Sequence, residues 1–348
     1  MKKLMSAALS GGKVSDVYFS SSLKELDEKL KEYGDNTLYV FDENTENLID
    51  RSGRKCVVLK SGEENKSFES IKTIIDSAID FSLSRDSLFI AIGGGVICDM
   101  TAFAASLYMR GARVLLVPTT LLSQVDASVG GKSGIEYRNL KNIIGSFYPA
   151  ETIILDSESL KSLSDEEFLS GLGEVIKHAF LAKDDELYDF LVKNRDKILS
   201  RDSVTLSKLV YLSLLVKQSY IERDPEEKKG IRSFLNLGHT FGHALESITD
   251  YKVKHGYGVV WGTVMAAISG NAIGITPDEY KAKMLSLISL YPFDTQYKVP
   301  EEKLAAFLSA IKNDKKKKNG EVKFVFMEGQ GKPLLHPLSD ETVASVVS

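Results

Sequence analysis

Cysteine is scarce in this sequence, which has only Cys56 and Cys98 in 348 residues. Two thiols so far apart do not make a disulfide framework, so we expect both to be reduced, as in a cytosolic protein. The sequence also lacks an apolar run long enough to span a membrane, and Met1–Lys3 leads into a stretch broken by glycine and serine instead of the apolar core of a signal peptide. These absences predict a cytoplasmic protein with no membrane partner.

A surplus of positive charge is missing as well. The formal net charge is −4 and the isoelectric point is about 5.9, whereas a domain that binds nucleic acid is usually clearly basic. We therefore expect no nucleic-acid partner. The basic run Lys315–Lys318 is short and is interpreted as part of a solvated loop.

The length of 348 residues predicts two domains. In the first part of the chain, short apolar or β-branched segments alternate with amphipathic segments, which is typical of βαβ units and a parallel sheet. The candidate strands are Thr37–Asp42, Lys55–Lys60, Leu88–Gly93, Val114–Pro118 and Thr152–Asp156. The candidate helices include Leu23–Tyr33 and Ser67–Leu83.

The pattern becomes helical after Asp156. Its long helical runs include Val204–Ile221 and Phe234–Ile248, and its one strand-like segment is Glu321–Met327. We predict an α/β domain over residues 1–158 and an all-α domain over residues 159–348, with the boundary near Ser157–Ser164.

A glycine run, GGG at 93–95, follows the candidate strand Leu88–Gly93 and precedes a helix-like segment. Glycine lets the backbone approach a phosphate closely, and a helix N-terminus presents free N–H groups. The arrangement suits the pyrophosphate of a dinucleotide, although a tight βα turn without a ligand is an equal alternative because the spacing is not G-x-G-x-x-G. Thr119 and Thr120 follow the next strand, where ligands gather in open α/β sheets. Glu63 either accepts hydrogen bonds from ribose hydroxyls or is an exposed loop charge.

Three of the five histidines, His239, His243 and His255, fall within a short stretch. Neutral imidazoles combined with a carboxylate suit zinc or a similar divalent ion. Glu174 lies in an otherwise apolar stretch, where a buried carboxylate needs a cationic partner or a metal. Because His239 and His243 are four residues apart and share a helix face, spacing alone nominates that pair as ligands. The alternative is that these histidines are satisfied core residues.

An anion-binding set is predicted around Lys132, Lys141 and Asn142, which lie with Asp126 among glycines just past a strand end. Such loops hold phosphorylated or carboxylated small molecules. The alternative for any one lysine or arginine is an ordinary surface charge. Further polar candidates in the helical part are Lys217, Arg232 and Asn236.

Together these segments resemble the 3-dehydroquinate synthase family, in the family's order and over nearly the whole chain. The similar segments are GGGVICD at 93–99, YMRGARVLLVPTTLLSQVDASVGGKSG at 108–134, LKNIIGSFYP at 140–149, GLGEVIKHA at 171–179, GIRSFLNLGHTFGHALE at 230–246, HGYGVVWG at 255–262 and NDKK at 313–316. The chain reads HGYGV at 255–259 where the family often has HGEAV.

The resemblance implies an α/β, Rossmann-like NAD-binding domain followed by an all-α metal- and substrate-binding domain, with the active site between them and two chains in a homodimer. It implies Zn²⁺ or Co²⁺ bound by Glu174, His239 and His255, with His243 near the substrate phosphate instead. Helical spacing alone nominates His239 and His243 as ligands instead. We follow the family, because His255 begins a distinct HG motif.

The resemblance also implies roles for single residues. The NAD-binding set is Asp42, Asn44, Glu63, Lys66, Gly94, Gly95, Asp99, Thr119, Thr120 and Leu122, with Lys132 and Lys141 shared with the substrate. The phosphate set is Lys132, Lys141, Asn142, Asn236, His243, one lysine of the Lys315–Lys316 pair, and Arg110 reaching the neighbouring subunit. Lys217 and Arg232 hold the substrate carboxylate, and Asp126 and Lys177 contact ring hydroxyls. The residues implied in catalysis are Asp126, Lys132, Lys177, Asn236 and His243.

The activity implied is conversion of 3-deoxy-D-arabino-heptulosonate 7-phosphate into 3-dehydroquinate and phosphate, a step of the shikimate pathway to the aromatic amino acids. Three other interpretations stay open: another sugar-phosphate cyclase, a glycerol-dehydrogenase-like oxidoreductase, and a catalytically inactive NAD- or phosphate-binding module. The first uses substrates without a carboxylate, and the second yields net NADH. The third expects missing site residues.

Overall fold

A computed structural model of the chain describes residues 1–9, 12–138, 140–315 and 322–348, with only the backbone described for 313–315. The described chain divides into two compact units, Met1–Ser164 and Asp165–Ser348. The break lies six residues after the predicted division at 158/159, at the start of a long helix. The assignment of NAD binding to one unit and of metal binding to the other stays a prediction.

The first unit is built on a seven-stranded sheet, counted over the described residues. Its strands are β1 (Lys2–Ala8), β2 (Val14–Ser20), β3 (Thr37–Asp42), β4 (Lys55–Leu59), β5 (Leu88–Gly93), β6 (Arg113–Pro118) and β9 (Thr152–Asp156). All five predicted strands are present. Buried, largely apolar runs such as β3 and β5 form central strands because both faces of a parallel sheet are covered.

The strand order β1-β2-β9-β6-β5-β3-β4 is parallel except for the β1–β2 pair at one edge. From β3 the chain moves outward to β4 and then returns to β5 on the other side of β3. This reversal creates a crevice beyond the carboxyl ends of β3 and β5, which is where ligands bind in open α/β sheets. The fold therefore brings Asp42 and the glycines at 93–95 to the same edge.

The helices of the first unit are α1 (Leu23–Lys31), α2 (Phe68–Asp80) and α3 (Gly95–Leu107). Ser22 and Ser67 cap the first two, because each hydroxyl accepts a hydrogen bond from a backbone N–H in the first turn. Leu26 and Leu30 of α1 pack into a core with Phe41, Ile90 and other strand residues. The unit is thus a covered α/β sheet, as the sequence predicts.

A second, antiparallel pair of strands in the first unit was not predicted. It consists of β7 (Lys132–Tyr137) and β8 (Leu140–Phe147). The first four residues of β8 are all exposed and the rest are exposed or half-buried, so the strand has no buried apolar stripe from which to infer it. This hairpin carries Lys132, Lys141 and Asn142 of the predicted anion-binding set.

The second unit is helical. Its helices are α4 (Asp165–Leu181), α5 (Glu186–Lys193), α6 (Arg195–Leu199), α7 (Ser203–Arg223), α8 (His239–Ile248), α9 (His255–Ala272), α10 (Asp278–Ser289), α11 (Glu301–Lys315) and α12 (Asp340–Val347). It also has two antiparallel strands, β10 (Lys323–Met327) and β11 (Pro333–Pro337), of which the sequence suggested only the first. No helix within the described ranges is both long and apolar enough to cross a membrane.

One predicted helix, Phe234–Ile248, is divided in the structure. A 3₁₀ turn over Arg232–Asn236 ends before Gly238, which has a left-handed φ of 79° and caps the start of α8. A Cβ on Gly238 would lie 2.4 Å from the carbonyl oxygen of Val259, so the position needs glycine for both its φ and its space. The prediction of one continuous helix was wrong, and the break makes His239 the first residue of a helix.

Candidate active site

Asp42 ends β3, and its carboxylate accepts hydrogen bonds from the segment that follows the strand. The backbone N–H of Asn44 donates to Asp42 Oδ1 at 2.9 Å, and the hydroxyl of Thr45 lies 3.0 Å from the same oxygen and 2.8 Å from the carbonyl oxygen of Ile92 in β5. Burial raises the pKa of Asp42, although these hydrogen bonds oppose the shift. The carboxylate is therefore held at the crevice edge at some cost in stability.

The glycine run gives α3 a close approach to the sheet. A Cβ on Gly93 would lie 2.7 Å from Ile97 Cβ. A Cβ on Gly94 would lie 3.2 Å from Thr120 Cγ2, and one on Gly95 would lie 3.3 Å from Ala127 Cβ. The N–H of Thr119 donates to the carbonyl oxygen of Gly93 at 2.9 Å, which ties the ends of β5 and β6 together. The predicted NAD-binding residues Gly94, Gly95, Thr119, Thr120 and Leu122 thus cluster at one end of neighbouring strands.

Lys66 is buried beside two carboxylates and an amide. Its Nζ lies 2.7 Å from Asp99 Oδ2, 2.6 Å from Asn142 Oδ1 and 3.6 Å from Glu63 Oε1. Burial alone would lower the pKa of Lys66, but Asp99 and Glu63 outweigh it and raise the pKa. Glu136, which the sequence did not single out, lies close by, and burial together with Glu63 raises its pKa.

The other predicted residues of the first unit lie on a turn, on the hairpin and after α3. Asp126 is half-buried in a short π-helical turn over Ser123–Ala127, and Lys132 and Lys141 are exposed on the β7–β8 hairpin. Arg110 is exposed with a left-handed φ of 69°.

The second unit brings four predicted residues together. Glu174 Oε1 in α4 lies 3.2 Å from His255 Nε2 and 3.4 Å from His239 Nε2. One ring nitrogen from each of His239, His243 and His255 falls within 4.8 Å of the others. Both alternatives raised by the sequence are therefore available geometrically, and the choice of ligands stays a prediction.

Glycines allow this convergence, because they let α4, α8 and α9 cross in near contact. A Cβ on Gly256 would lie 1.7 Å from the carbonyl oxygen of Ser170, and one on Gly173 would lie 2.4 Å from that of Gly256. A Cβ on Gly242 would lie 2.7 Å from the carbonyl oxygen of Gly258. Real side chains do not fit at such separations.

The electrostatics of Glu174 favour a cation. The carboxylate is fully buried, and neither oxygen accepts a hydrogen bond of normal geometry from a described residue. Burial opposes its ionisation, but the ion pair with buried Lys177 and the imidazole of His239 outweigh it and hold the pKa of Glu174 well below its usual range. A buried, ionised carboxylate that faces two imidazole nitrogens fits a divalent transition metal such as Zn²⁺ or Co²⁺.

Glu246, which the sequence reasoning missed, orients His255. Its Oε1 lies 2.9 Å from His255 Nδ1, and its side chain is buried. Burial would lower the pKa of His255, but Glu174 and Glu246 raise it to about 10. Glu246 lies seven residues after His239 and therefore on the same face of α8. This spacing is the sequence signal that could have identified Glu246 as a neighbour of the histidines.

The remaining predicted residues occupy other parts of the second unit. Arg232 is buried, with its Nε 3.6 Å from Glu227 Oε1, and Lys217 is buried in α7. Asn236 is exposed at the end of the 3₁₀ turn. Lys316 lies outside the described residues, and for Lys315 only the backbone, at the end of α11, is described.

Two family profiles account for most of the chain. The 3-dehydroquinate synthase N-terminal profile matches residues 56–170, and the 3-dehydroquinate synthase C-terminal profile matches residues 171–317. The chain belongs to the 3-dehydroquinate synthase family. The family predicted from the motifs is confirmed, and so is the fold that it implies, an α/β domain followed by a helical domain.

Curated members of the 3-dehydroquinate synthase family match at similar identity. The 3-dehydroquinate synthase of Francisella tularensis is 39% identical over 287 residues, which cover 82% of this chain and 79% of the relative. That of Shewanella pealeana is 37% identical over 304 residues, covering 86% and 84%. The bifunctional 3-dehydroquinate synthase/phosphatase of Fusobacterium nucleatum is 38% identical over 83% of this chain, and the chain spans 43% of that longer protein.

Solved structures share the fold of the 3-dehydroquinate synthase family at lower identity. The 2-epi-5-epi-valiolone synthase of Streptomyces hygroscopicus, solved with NAD⁺ and Zn²⁺, has a TM-score of 0.84 at 20% identity and covers 95% of both chains. A 2-deoxy-scyllo-inosose synthase, solved with carbaglucose-6-phosphate, NAD⁺ and Co²⁺, has a TM-score of 0.85 at 19% identity, covering 99% of this chain and 98% of its own.

Proposed function

We propose that the chain converts 3-deoxy-D-arabino-heptulosonate 7-phosphate into 3-dehydroquinate and phosphate, using NAD without net consumption and Zn²⁺ or Co²⁺ as the metal. The observation that carries this proposal is the buried Glu174 facing His239 and His255 in a chain of this family. Curated relatives across several organisms bear the name 3-dehydroquinate synthase. The cyclases solved with NAD⁺ and Zn²⁺ or Co²⁺ support the same pair of cofactors.

The chemistry assigns separate tasks to the bound groups and to the chain. When bound, NAD takes up and later returns a hydride, and the metal polarises the hydroxyl that is oxidised. Glu174, His239 and His255 hold the metal. NAD is held in this proposal by residues at the carboxyl ends of β3, β5 and β6, among them Asp42, Gly94 and Thr120.

Loss of phosphate by elimination makes the enzyme a carbon–oxygen lyase, so the residues that hold the leaving group matter most. Lys132 and Asn142 of the hairpin and His243 of α8 are the phosphate-binding residues of this proposal. Lys141, Asn236, Arg110 and one lysine of the Lys315–Lys316 pair belong to the same set. Binding both ends of a flexible substrate reduces the entropic cost of ring closure and excludes water.

Specificity within the superfamily rests on the substrate carboxylate. Lys217 and Arg232 are buried cations, and Arg232 is held by the carboxylate of Glu227 and the carbonyl oxygen of Pro225. The carboxylate of a sugar acid is a further anionic ligand for such cations, and a sugar phosphate without a carboxylate lacks it. Asp126 and Lys177 contact the ring hydroxyls in this proposal. Cytoplasmic location and homodimeric assembly belong to the same proposal and rest on the sequence.

The test is product identification with the purified protein, NAD, the heptulosonate phosphate and Zn²⁺ or Co²⁺. We expect phosphate release, formation of 3-dehydroquinate by mass and proton NMR, and no net accumulation of NADH. Absence of phosphate release refutes the assignment, and net NADH with a simple alcohol favours an oxidoreductase. Turnover of a sugar phosphate without a carboxylate, in preference to the sugar acid, favours another cyclase.

A histidine pair provides a matched control. His255→Ala removes a proposed ligand and is expected to lower both the bound metal, measured by elemental analysis, and turnover. His336 lies exposed on β11, with its Nδ1 2.6 Å from the carbonyl oxygen of Pro337, so His336→Ala leaves both unchanged. Full metal content in His255→Ala contradicts its role as a ligand.

A further inference from the structure

Lys66 lies where three parts of the first unit meet. It joins the short 3₁₀ turn after β4 to α2, its side chain reaches Asp99 in α3, and it contacts the β7–β8 hairpin twice. Its Nζ lies 2.6 Å from Asn142 Oδ1 in β8, and its carbonyl oxygen accepts a hydrogen bond from the N–H of Glu136 in β7 at 2.9 Å. Lys66 therefore binds both strands of the hairpin.

The hairpin is irregular at the point of contact. Ile135 pairs with Ile144 and Tyr137 with Leu140, so Glu136 alone stands opposite three residues of β8, 141–143. Asn142 is the middle residue of this bulge and has a left-handed φ of 50°. Asparagine tolerates this conformation better than most residues, and bulges commonly re-aim a side chain near functional sites. The bulge thus turns the carboxamide of Asn142 toward Lys66.

The chemistry of the contact fixes which way the carboxamide faces. An ammonium group donates hydrogen bonds and accepts none, so the atom of Asn142 that faces Lys66 is its oxygen. The amide nitrogen, with two donors, then points away from Lys66. Because Asp99 holds the ammonium at 2.7 Å and the lysine side chain is only 4% exposed, the ammonium has little freedom to move.

We propose that Lys66 is a positioning residue that fixes the orientation of Asn142, so that its amide nitrogen donates to the phosphate of the substrate. This inference rests on the proposed function and deepens it. The sequence assigned Lys66 to NAD contact alone, whereas its ammonium reaches the anion-binding hairpin directly. Lys66 acts on the phosphate through Asn142 and does not itself touch it.

The test measures the affinity of the full-length protein for inorganic phosphate by titration calorimetry. Lys66→Met removes the ammonium and keeps a side chain of similar length, and we expect about a tenfold loss of phosphate affinity, in the range of ordinary coupling between sites. Lys72→Met is the matched control, because Lys72 is 76% exposed and pairs only at the surface with Asp76. We expect no change in its phosphate affinity.

The decisive experiment is a double-mutant cycle between Lys66→Met and Asn142→Ala. If Lys66 acts through Asn142, then Lys66→Met causes no further loss of phosphate affinity once Asn142 is alanine. Losses that simply add overturn the proposal, because they show that the lysine acts by its charge or by another route. Lys66→Arg keeps a donor of the same charge and is expected to restore part of the affinity, and circular dichroism confirms that each variant is folded.

The outcomes separate this inference from the proposed function. A protein that turns over the sugar acid but shows additive losses keeps the proposed function and overturns the role of Lys66. A protein that shows the non-additive pattern with inorganic phosphate but releases none from the sugar acid keeps the role of Lys66 and loses the proposed substrate. Failure of the unmodified protein to bind inorganic phosphate overturns the inference.

Discussion

The variant Gly256→Ala tests whether the proposed metal site depends on the close crossing of α4 and α9. A Cβ there would lie 1.7 Å from the carbonyl oxygen of Ser170, and real Cβ atoms essentially never come within 3.0 Å of a neighbour. In Gly256→Ala the two helices must therefore separate by roughly 1.3 Å, the difference between these distances. Ser170 lies one turn before Glu174, and Gly256 is next to His255, so the separation pulls these two side chains apart.

The magnitudes decide what such a shift does. A zinc–nitrogen bond is about 2.0–2.1 Å long and tolerates deviations of about 0.2 Å, so a displacement several times larger removes His255 from a shared metal. Overpacking costs about 1–3 kcal/mol, and alanine recovers at most about 1 kcal/mol through helix propensity. We expect the free energy of unfolding to fall by about 2 kcal/mol and the affinity for Zn²⁺ to fall more than about 100-fold, because loss of a ligand exceeds the effect of losing its support.

The assay combines urea unfolding with competition for Zn²⁺ against a chromophoric chelator. Gly329→Ala, in the loop between β10 and β11, is the control, since the atom nearest to its Cβ would be Lys332 Cδ at 3.9 Å, an ordinary van der Waals distance. We expect it to change stability and metal affinity little. Wild-type Zn²⁺ affinity in a folded Gly256→Ala protein would refute the reasoning, because the metal site would then not depend on the crossing.

Three other changes test the electrostatics. Glu246→Gln keeps the contact with His255 but removes the charge, so Zn²⁺ affinity should fall about tenfold in the chelator assay, and an unchanged affinity contradicts the positioning role of Glu246. Lys177→Met leaves buried Glu174 without its cation and should lower the free energy of urea unfolding by about 3 kcal/mol in a chelator, but by much less with saturating Zn²⁺. Equal losses in both conditions would show that no cation replaces the lysine. Burial raises the pKa of Asp42 above its unfolded value, so its stability cost develops as pH rises through that interval. Asp42→Asn should therefore stabilise the fold at pH 7, lose that gain as the pH falls below the pKa of the unfolded carboxyl, and weaken NAD binding measured by calorimetry.

Five strands of the main sheet, β3, β4, β5, β6 and β9, were predicted because each carries its pattern within a few consecutive residues, whereas the edge pair β1 and β2 was not predicted. The strands β3 and β5 are short, buried, largely apolar runs that end in turn residues, and a parallel sheet imposes that pattern on each strand separately. The β7–β8 hairpin was missed because β8 is exposed or half-buried along its length and therefore has no apolar stripe. The hairpin positions Asn142 beside Lys66, which lies 76 residues away in the sequence.

For the proposed metal site, the sequence nominated candidate residues but carried no information on how they are arranged in space. Helical spacing correctly marks His239 and His243 as neighbours on α8, but it carries no information about partners on other helices. Glu174 and His255 are 81 residues apart, and their approach to 3.2 Å depends on how α4 and α9 cross. Only the resemblance to the family predicted in advance that they act together, because local periodicity carries no information on contacts between distant segments.

A local signal for that crossing was nevertheless present. Glycine inside a helix costs about 1 kcal/mol relative to alanine, so a helix that keeps several must gain from close approach elsewhere. Gly256, Gly258 and Gly262 lie within the first eight residues of α9, and Gly242 lies four residues after Gly238 at the start of α8. A Cβ on Gly262 would lie 2.0 Å from the carbonyl oxygen of Gly238. The glycines beside the histidines therefore lower helix stability but allow close backbone contact, and that contact brings the imidazoles of His239 and His255, on separate helices, within 3.4 Å of Glu174 Oε1, as the proposed metal site requires.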